Sequence, residues 1–288
     1  MLIPNTESCT PSPTPHTTSP TPSPPPPYKN NLPLPAVHTP PTKSITRQCT
    51  TYLTEQIRED LTLESQLLLL SFAIGIQDAA AWKDYGCFAS NQTGNMLFLA
   101  IGGAGLASND DFDFTYVGMS LGCFVAGGLV MGQFANYLGV VRMRWWLLFS
   151  SLLQTAMVFA AAAIMAYTGP VKQQQTGNDA AALVTLFLLA FSSGAQVSMG
   201  RALKVTDITT AMATAAYIDV VIDPGLFRGK NRMRNRRVLF LVTLTAGCFA
   251  GAGVEKAAGS CVTLIMCGCL KVVVTVLFFF TPRMKVEV

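Results

Sequence analysis

The chain has 288 residues, half of them hydrophobic and only 12% charged, with a net charge of +4. A soluble domain carries roughly 25% charged residues, so this composition, with its positive mean hydropathy, excludes an ordinary soluble fold and suits an all-α polytopic membrane protein. The small basic excess bears on orientation in a membrane and points to no nucleic-acid partner.

Residues 1–50 hold 14 of the 17 prolines, with many Ser and Thr. Such a segment buries too little apolar surface to offset its ordering entropy and is expected to be a disordered tail. It has no apolar core behind a basic start, so it does not read as a signal peptide. Residues 51–66 are expected to form a polar lead-in helix. The only histidines, His16 and His38, lie in the tail. The cysteines include no Cys-x-x-Cys and fall mostly in apolar runs. Neither a metal site, a disulfide framework nor a cofactor is expected.

Eight apolar stretches follow, at about 67–82, 88–107, 115–138, 145–167, 181–200, 206–223, 238–254 and 258–280. A helical span of ~30 Å of hydrocarbon takes ~20 residues. The third, fourth and eighth stretches reach that length outright. The second and sixth do so amply only with their polar halves, which suits interrupted helices or helices whose polar halves face neighbours.

Pieces of the chain recur in order. Gly75-Ile-Gln77 returns as Gly194-Ala-Gln196, Thr93 as Thr214, and Gly122-Cys-Phe124 as Gly247-Cys-Phe249. The expected unit is four spans, repeat one at 67–167 and repeat two at 181–280. An even number of spans makes the two parallel repeats. With eight crossings, Lys43, Arg47, Arg58, Lys172, the six basic residues of Arg228–Arg237, Arg283 and Lys285 share the side of both termini. Lys83, Arg142, Arg144, Arg201, Lys204 and Lys256 take the other. The positive-inside rule then favours cytoplasmic termini. A re-entrant stretch between residues 145 and 223 would instead bring Arg142, Arg144, Arg201 and Lys204 to one side and leave six or seven crossings.

Polar residues among apolar runs are costly in hydrocarbon and mark candidate sites. Gln77 and Asp78 end the first run, and Thr93, Gly94 and Asn95 open the second. A helix restarting there would expose N–H groups toward a ligand. Gln196, Thr210 and Thr214 are their counterparts in the second half. Asp207, Thr210, Thr214 and Tyr217, at steps of three, four and three, are expected to line one helical face. Asp219 and Asp223 read as partners of the basic loop. Lys271 could pair with Asp78 or snorkel. The pairs Gly118/Gly122, Gly128/Gly132 and Gly247/Gly251 suit close helix packing. The run Arg228–Arg237 reads as an anchor on anionic lipid. No nucleotide-binding, hydrolase or metalloprotease motif occurs, so an enzyme is not expected.

Gly75-x-x-Asp78-Ala, Gly86-x-Phe88 and Thr93-Gly94-Asn95 resemble the signature of the YoaK-like family of uncharacterised multi-pass membrane proteins. Gly194-x-Gln196, Arg201, Thr209-Thr210 and Thr214 resemble its second half, except that Thr214-Ala-Ala216 stands where that family tends to have Thr-Gly-Thr. The resemblance spans about residues 65–282 and implies the repeat but no substrate. The function expected is a small-solute transporter with its site between the repeats, or else a non-transporting membrane scaffold or assembly factor.

Overall fold

The computed structural model describes residues 45–106, 113–169, 179–205 and 207–284. The expected disordered tail falls outside the described residues except for its last six. Among the described residues there are nine helices and no strand beyond two isolated bridges. They are α1 (Ile45–Thr54), α2 (Leu61–Tyr85), α3 (Gln92–Gly103), α4 (Phe114–Leu138), α5 (Arg144–Thr168), α6 (Asp179–Ala202), α7 (Ala213–Val221), α8 (Arg232–Ala258) and α9 (Ser260–Phe280).

Five helices, α4, α5, α6, α8 and α9, are long and apolar enough to cross a membrane. Helix α2 has the same 25-residue length as α4 and α5 but also carries Glu64, Asp78, Lys83 and Asp84. The Asp60 side chain starts it by accepting from the Leu63 N–H at 3.0 Å. Gly86 ends it in the left-handed region (φ 65), with its N–H on the Trp82 carbonyl. The expected lead-in helix over 51–66 is interrupted. Helix α1 stops at Thr54, and Gln56 and Ile57 bridge to Met143 and Arg283.

The helix directions follow from contacts. Gln66 donates to Thr281 Oγ1 at 2.7 Å, Arg144 to the Phe278 and Phe279 carbonyls, and Arg236 to Glu64 at 2.6 Å. The starts of α2, α5 and α8 therefore share one end with the finish of α9. Arg142 on the Leu203 carbonyl brings the finishes of α4 and α6 to that end as well. Tyr85 meets Tyr116 edge-on at the other end. Two apolar clusters fill the interior. One gathers Leu67, Met131, Trp146, Met199, Phe240 and Phe278 near the first end. The second gathers Ala81, Val117, Val158, Leu186 and Leu264 near the other.

Two helix pairs approach at backbone distance. A Cβ on Gly75 would lie 2.6 Å from the Leu244 carbonyl, and one on Gly247 would lie 2.2 Å from that of Phe72, so α2 and α8 touch directly. A Cβ on Gly194 would lie 2.0 Å from the Phe124 carbonyl, and one on Gly127 would lie 2.3 Å from that of Phe191, which joins α4 and α6 likewise. Only glycine permits such contact. Of the expected pairs, Gly247/Gly251 packs closely, while Gly118 and Gly122 meet nothing within 4 Å. The Gly122–Gly247 match is therefore not a packing match, because Gly127 holds the place that Gly122 was expected to hold.

Eight full crossings in two parallel four-helix repeats do not fit this arrangement. At 1.5 Å per residue, α3 with 12 residues and α7 with 9 reach only about 18 and about 14 Å. That leaves three long helices in each half, an odd number. Gln77 on α2 bonds to Leu189 and Ser193 of α6, and Gln196 bonds back to Leu70, so α2 and α6 run antiparallel. The helix that opens the second half therefore runs opposite to the one that opens the first.

Candidate functional site

Each short helix belongs to a segment that enters the bundle and returns to the end it came from. The first runs from Gly86 through α3. Asp78, two turns before the end of α2, draws it inward. Its Oδ1 accepts from the Ala89 and Ser90 N–H groups at 3.0 and 2.8 Å, and its Oδ2 accepts from Ser90 Oγ at 2.6 Å. Asn95 clamps the turn from the other side. Its Oδ1 accepts from the Phe88 N–H at 2.9 Å, and its Nδ2 donates to the Phe88 carbonyl at 2.7 Å. Ser120 of α4 donates to the same carbonyl at 2.6 Å. Trp82, Phe88 and Phe98 stack behind the turn at 5.2–6.1 Å. Gly94 lies against the Phe88 ring, where a Cβ would stand 3.0 Å away.

The second segment runs from Leu203 through α7 and is held mainly by charge. Asp207 pairs with Arg237 at 3.0 Å and with Arg236 at 3.6 Å. Arg237 also faces Asp219 at 3.7 Å. Arg236 pairs with Glu59 and Glu64, and Arg232 pairs with Glu64 too. Asp223 accepts from the Gly225 N–H and from Asn231 rather than from a basic residue. Thr210 takes φ 62, the left-handed region, and α7 begins only at Ala213, so the sixth stretch is interrupted rather than one helix over 206–223. Asp207, Thr210, Thr214 and Tyr217 therefore do not share a helical face. Met212 precedes α7 without a side-chain cap.

Between the two segments lies a cavity of about 720 Å³. Asp78, Ser90, Asn91, Gln92 and Thr93 line it from one side, and Thr209 and Met212 to Ala216 from the other. Phe124, Leu244 and Cys248 form its walls, and Arg201, Asp207, Asp219 and Arg237 line the end toward the basic loops.

The expected site residues divide in two. Asp78, Thr93 and Thr214 line the cavity. Gln77, Asn95, Gln196 and Thr210 are fully buried, away from its lining. Gln77 donates to the Leu189 carbonyl at 3.1 Å and to Ser193 Oγ at 2.8 Å. Gln196 donates to the Leu70 carbonyl and accepts from the buried Lys271 ammonium. Lys271 therefore neither pairs with Asp78 nor snorkels. Gly94 packs on a ring and does not line the cavity. Ser90 and Arg237 were not expected there, and Arg201 and Asp207, though noted in the sequence beside the candidates, were not read as site residues. Their signal in the sequence is one of place, since each lies at the edge of an apolar stretch.

No curated protein and no solved structure matches the chain. A family model described as a protein of unknown function, DUF1275, matches residues 66–277, and the chain belongs to that family.

Proposed function

We propose that the protein is an integral membrane transporter for a small solute, which binds between the two re-entrant segments. The cavity carries this reading. A transporter needs a solvated space that reaches its polar groups, whereas a scaffold needs those groups closed and fully bonded. Gln77, Asn95 and Gln196 are engaged as a scaffold would have them, but Asp78, Ser90, Thr93 and Thr214 front a space of about 720 Å³.

We infer an inverted repeat as its frame. Residues α2 to α5 and α6 to α9 each run long, short, long, long. Gln77 bonds to the Leu189 carbonyl and Gln196 to that of Leu70, and both 77 to 196 and 70 to 189 are steps of 119 residues. Halves related by an axis in the membrane plane suit alternating access around a fixed central site. The narrower YoaK-like kinship rests on the signature residues alone.

Orientation follows from charge. Among the described basic residues at the helix ends and in the loops, only Lys83 and Lys256, in the last turns of α2 and α8, stand at the end where Tyr85 meets Tyr116. Arg58, Arg142, Arg144, Arg201, Lys204, Arg283 and the whole basic loop stand at the opposite end. The positive-inside rule puts that end in the cytoplasm, with the approach to α2 and the exit from α9. Arg232, Arg236 and Arg237 are taken up in ion pairs. The exposed Arg228 and Lys230 are the part of the run left to meet anionic lipid.

The test is uptake into vesicles holding the purified protein. Asp78→Asn keeps an acceptor for the Ala89 and Ser90 N–H groups and removes the charge. The wild type is expected to accumulate at least one solute of a mixed panel. Asp78→Asn should insert normally and lose that uptake. Cys248 lines the cavity and is exposed, so a small water-soluble maleimide should label it. No uptake together with an unreactive Cys248 would favour the scaffold.

A further inference from the structure

Deepening that transport reading, on which it rests, we propose that the cavity takes a small anion of the carboxylate or oxyanion type and that Arg201 holds it. Arg201 stands in the last turn of α6, lines the cavity and is exposed. No hydrogen bond or ion pair joins its side chain to another described residue.

The other charged groups lining the cavity are already engaged. The Asp78 carboxylate accepts from two backbone N–H groups and a hydroxyl, which places it as a cap on the first segment. Asp207 lies between Arg236 and Arg237. Asp219, at the rim, faces Arg237. Among the described residues lining the cavity, Arg201 is the charged side chain without a hydrogen-bond or ion-pair partner. An anion would find a planar fork of donors that fits a carboxylate or oxyanion with two parallel hydrogen bonds. The first turn of α7, without a side-chain cap, lines the same wall and adds unpaired N–H groups. Its counterpart of Asp78, one step of 119 residues on, is Val197, so no carboxylate neutralises that turn as Asp78 does the first segment.

The experiment uses full-length protein in vesicles, in low-salt zwitterionic buffer. The probes are acetate, lactate, benzoate, sulfate and phosphate, with urea and glycerol as neutral solutes and choline as a cation. The wild type should take up one or more of the anions. Arg201→Gln should lower that uptake by about tenfold or more, the loss of a charge-assisted hydrogen-bonded pair. Arg201→Lys should keep part of it, because charge survives while the fork does not. Arg228→Gln, at the same end but outside the cavity, should match the wild type. Anion uptake undiminished in Arg201→Gln would overturn the inference. So would uptake confined to urea, glycerol or choline, although transport itself would then stand. If nothing is taken up, the transport reading falls, and melting temperatures in detergent decide the anion site. A rise with one of the five anions that vanishes in Arg201→Gln supports it, and no rise with any of them overturns it.

Discussion

Gln77 and Gln196 are both fully buried, but their removal would leave different things behind. When Gln77 is replaced by Leu, the Leu189 carbonyl keeps Ser192 Oγ and Ser193 Oγ as donors. The loss should be that of an ordinary hydrogen bond, about 1 kcal/mol. Gln196→Leu instead strips the buried Lys271 ammonium of its amide acceptor. A charge left without a partner in the interior should cost about 3 kcal/mol or more. Removing both groups, as Gln196→Leu with Lys271→Met, should recover most of the loss, because an apolar pair leaves nothing unsatisfied. Thermal melting in detergent checks the order: Gln196→Leu lowest, the double variant and Gln77→Leu near the parent. Equal melting of the two single variants would mean that Lys271 has another acceptor.

The elements that hold the site together are two direct helix contacts and two re-entrant segments. Gly194→Val would push a side chain into the Phe124 carbonyl, 2.0 Å from its Cβ. The backbone cannot yield as a flexible side chain would, so α6 should separate from α4, at about 3 kcal/mol or more. Gly118→Val and Gly122→Val, with nothing within 4 Å, should elute as the parent does. Fluorescence-detected size exclusion reads the difference, and a monodisperse Gly194→Val would contradict the packing described. The long helices were legible in the sequence because twenty apolar residues in a row have few other fates. The re-entrant segments were only partly so: a re-entrant stretch within 145–223 was one way to bring the basic loops to one side, but nothing marked 88–107 as another. Hydropathy over 88–107 and 206–223 is the same whether the chain continues or turns back. What turns it back is tertiary, namely Asp78 reaching eleven residues ahead to Ala89 and Arg237 reaching back to Asp207. For the same reason Asn95 and Gln196 looked like site residues. Their polarity was visible in the sequence, but whether they faced a cavity or a neighbouring carbonyl was not.

At the scale of the whole molecule, the proposed six crossings and two re-entrant segments would make the halves antiparallel, enclose the cavity and collect nearly all the basic loops at one end. Eight crossings would separate those loops. The two arrangements differ most at three positions: the α4–α5 turn at Val141, the basic loop at Gly229, and Leu106 after α3. Single cysteines introduced there, with Cys9, Cys49 and the exposed Cys248 and Cys269 replaced by serine, can be labelled with a membrane-impermeant maleimide from either side of sealed vesicles. Six crossings require Val141→Cys and Gly229→Cys to react from the same side and Leu106→Cys from the opposite one. Reaction of Gly229→Cys and Leu106→Cys from one side, with Val141→Cys alone on the other, would contradict the re-entrant segments and the cavity they enclose.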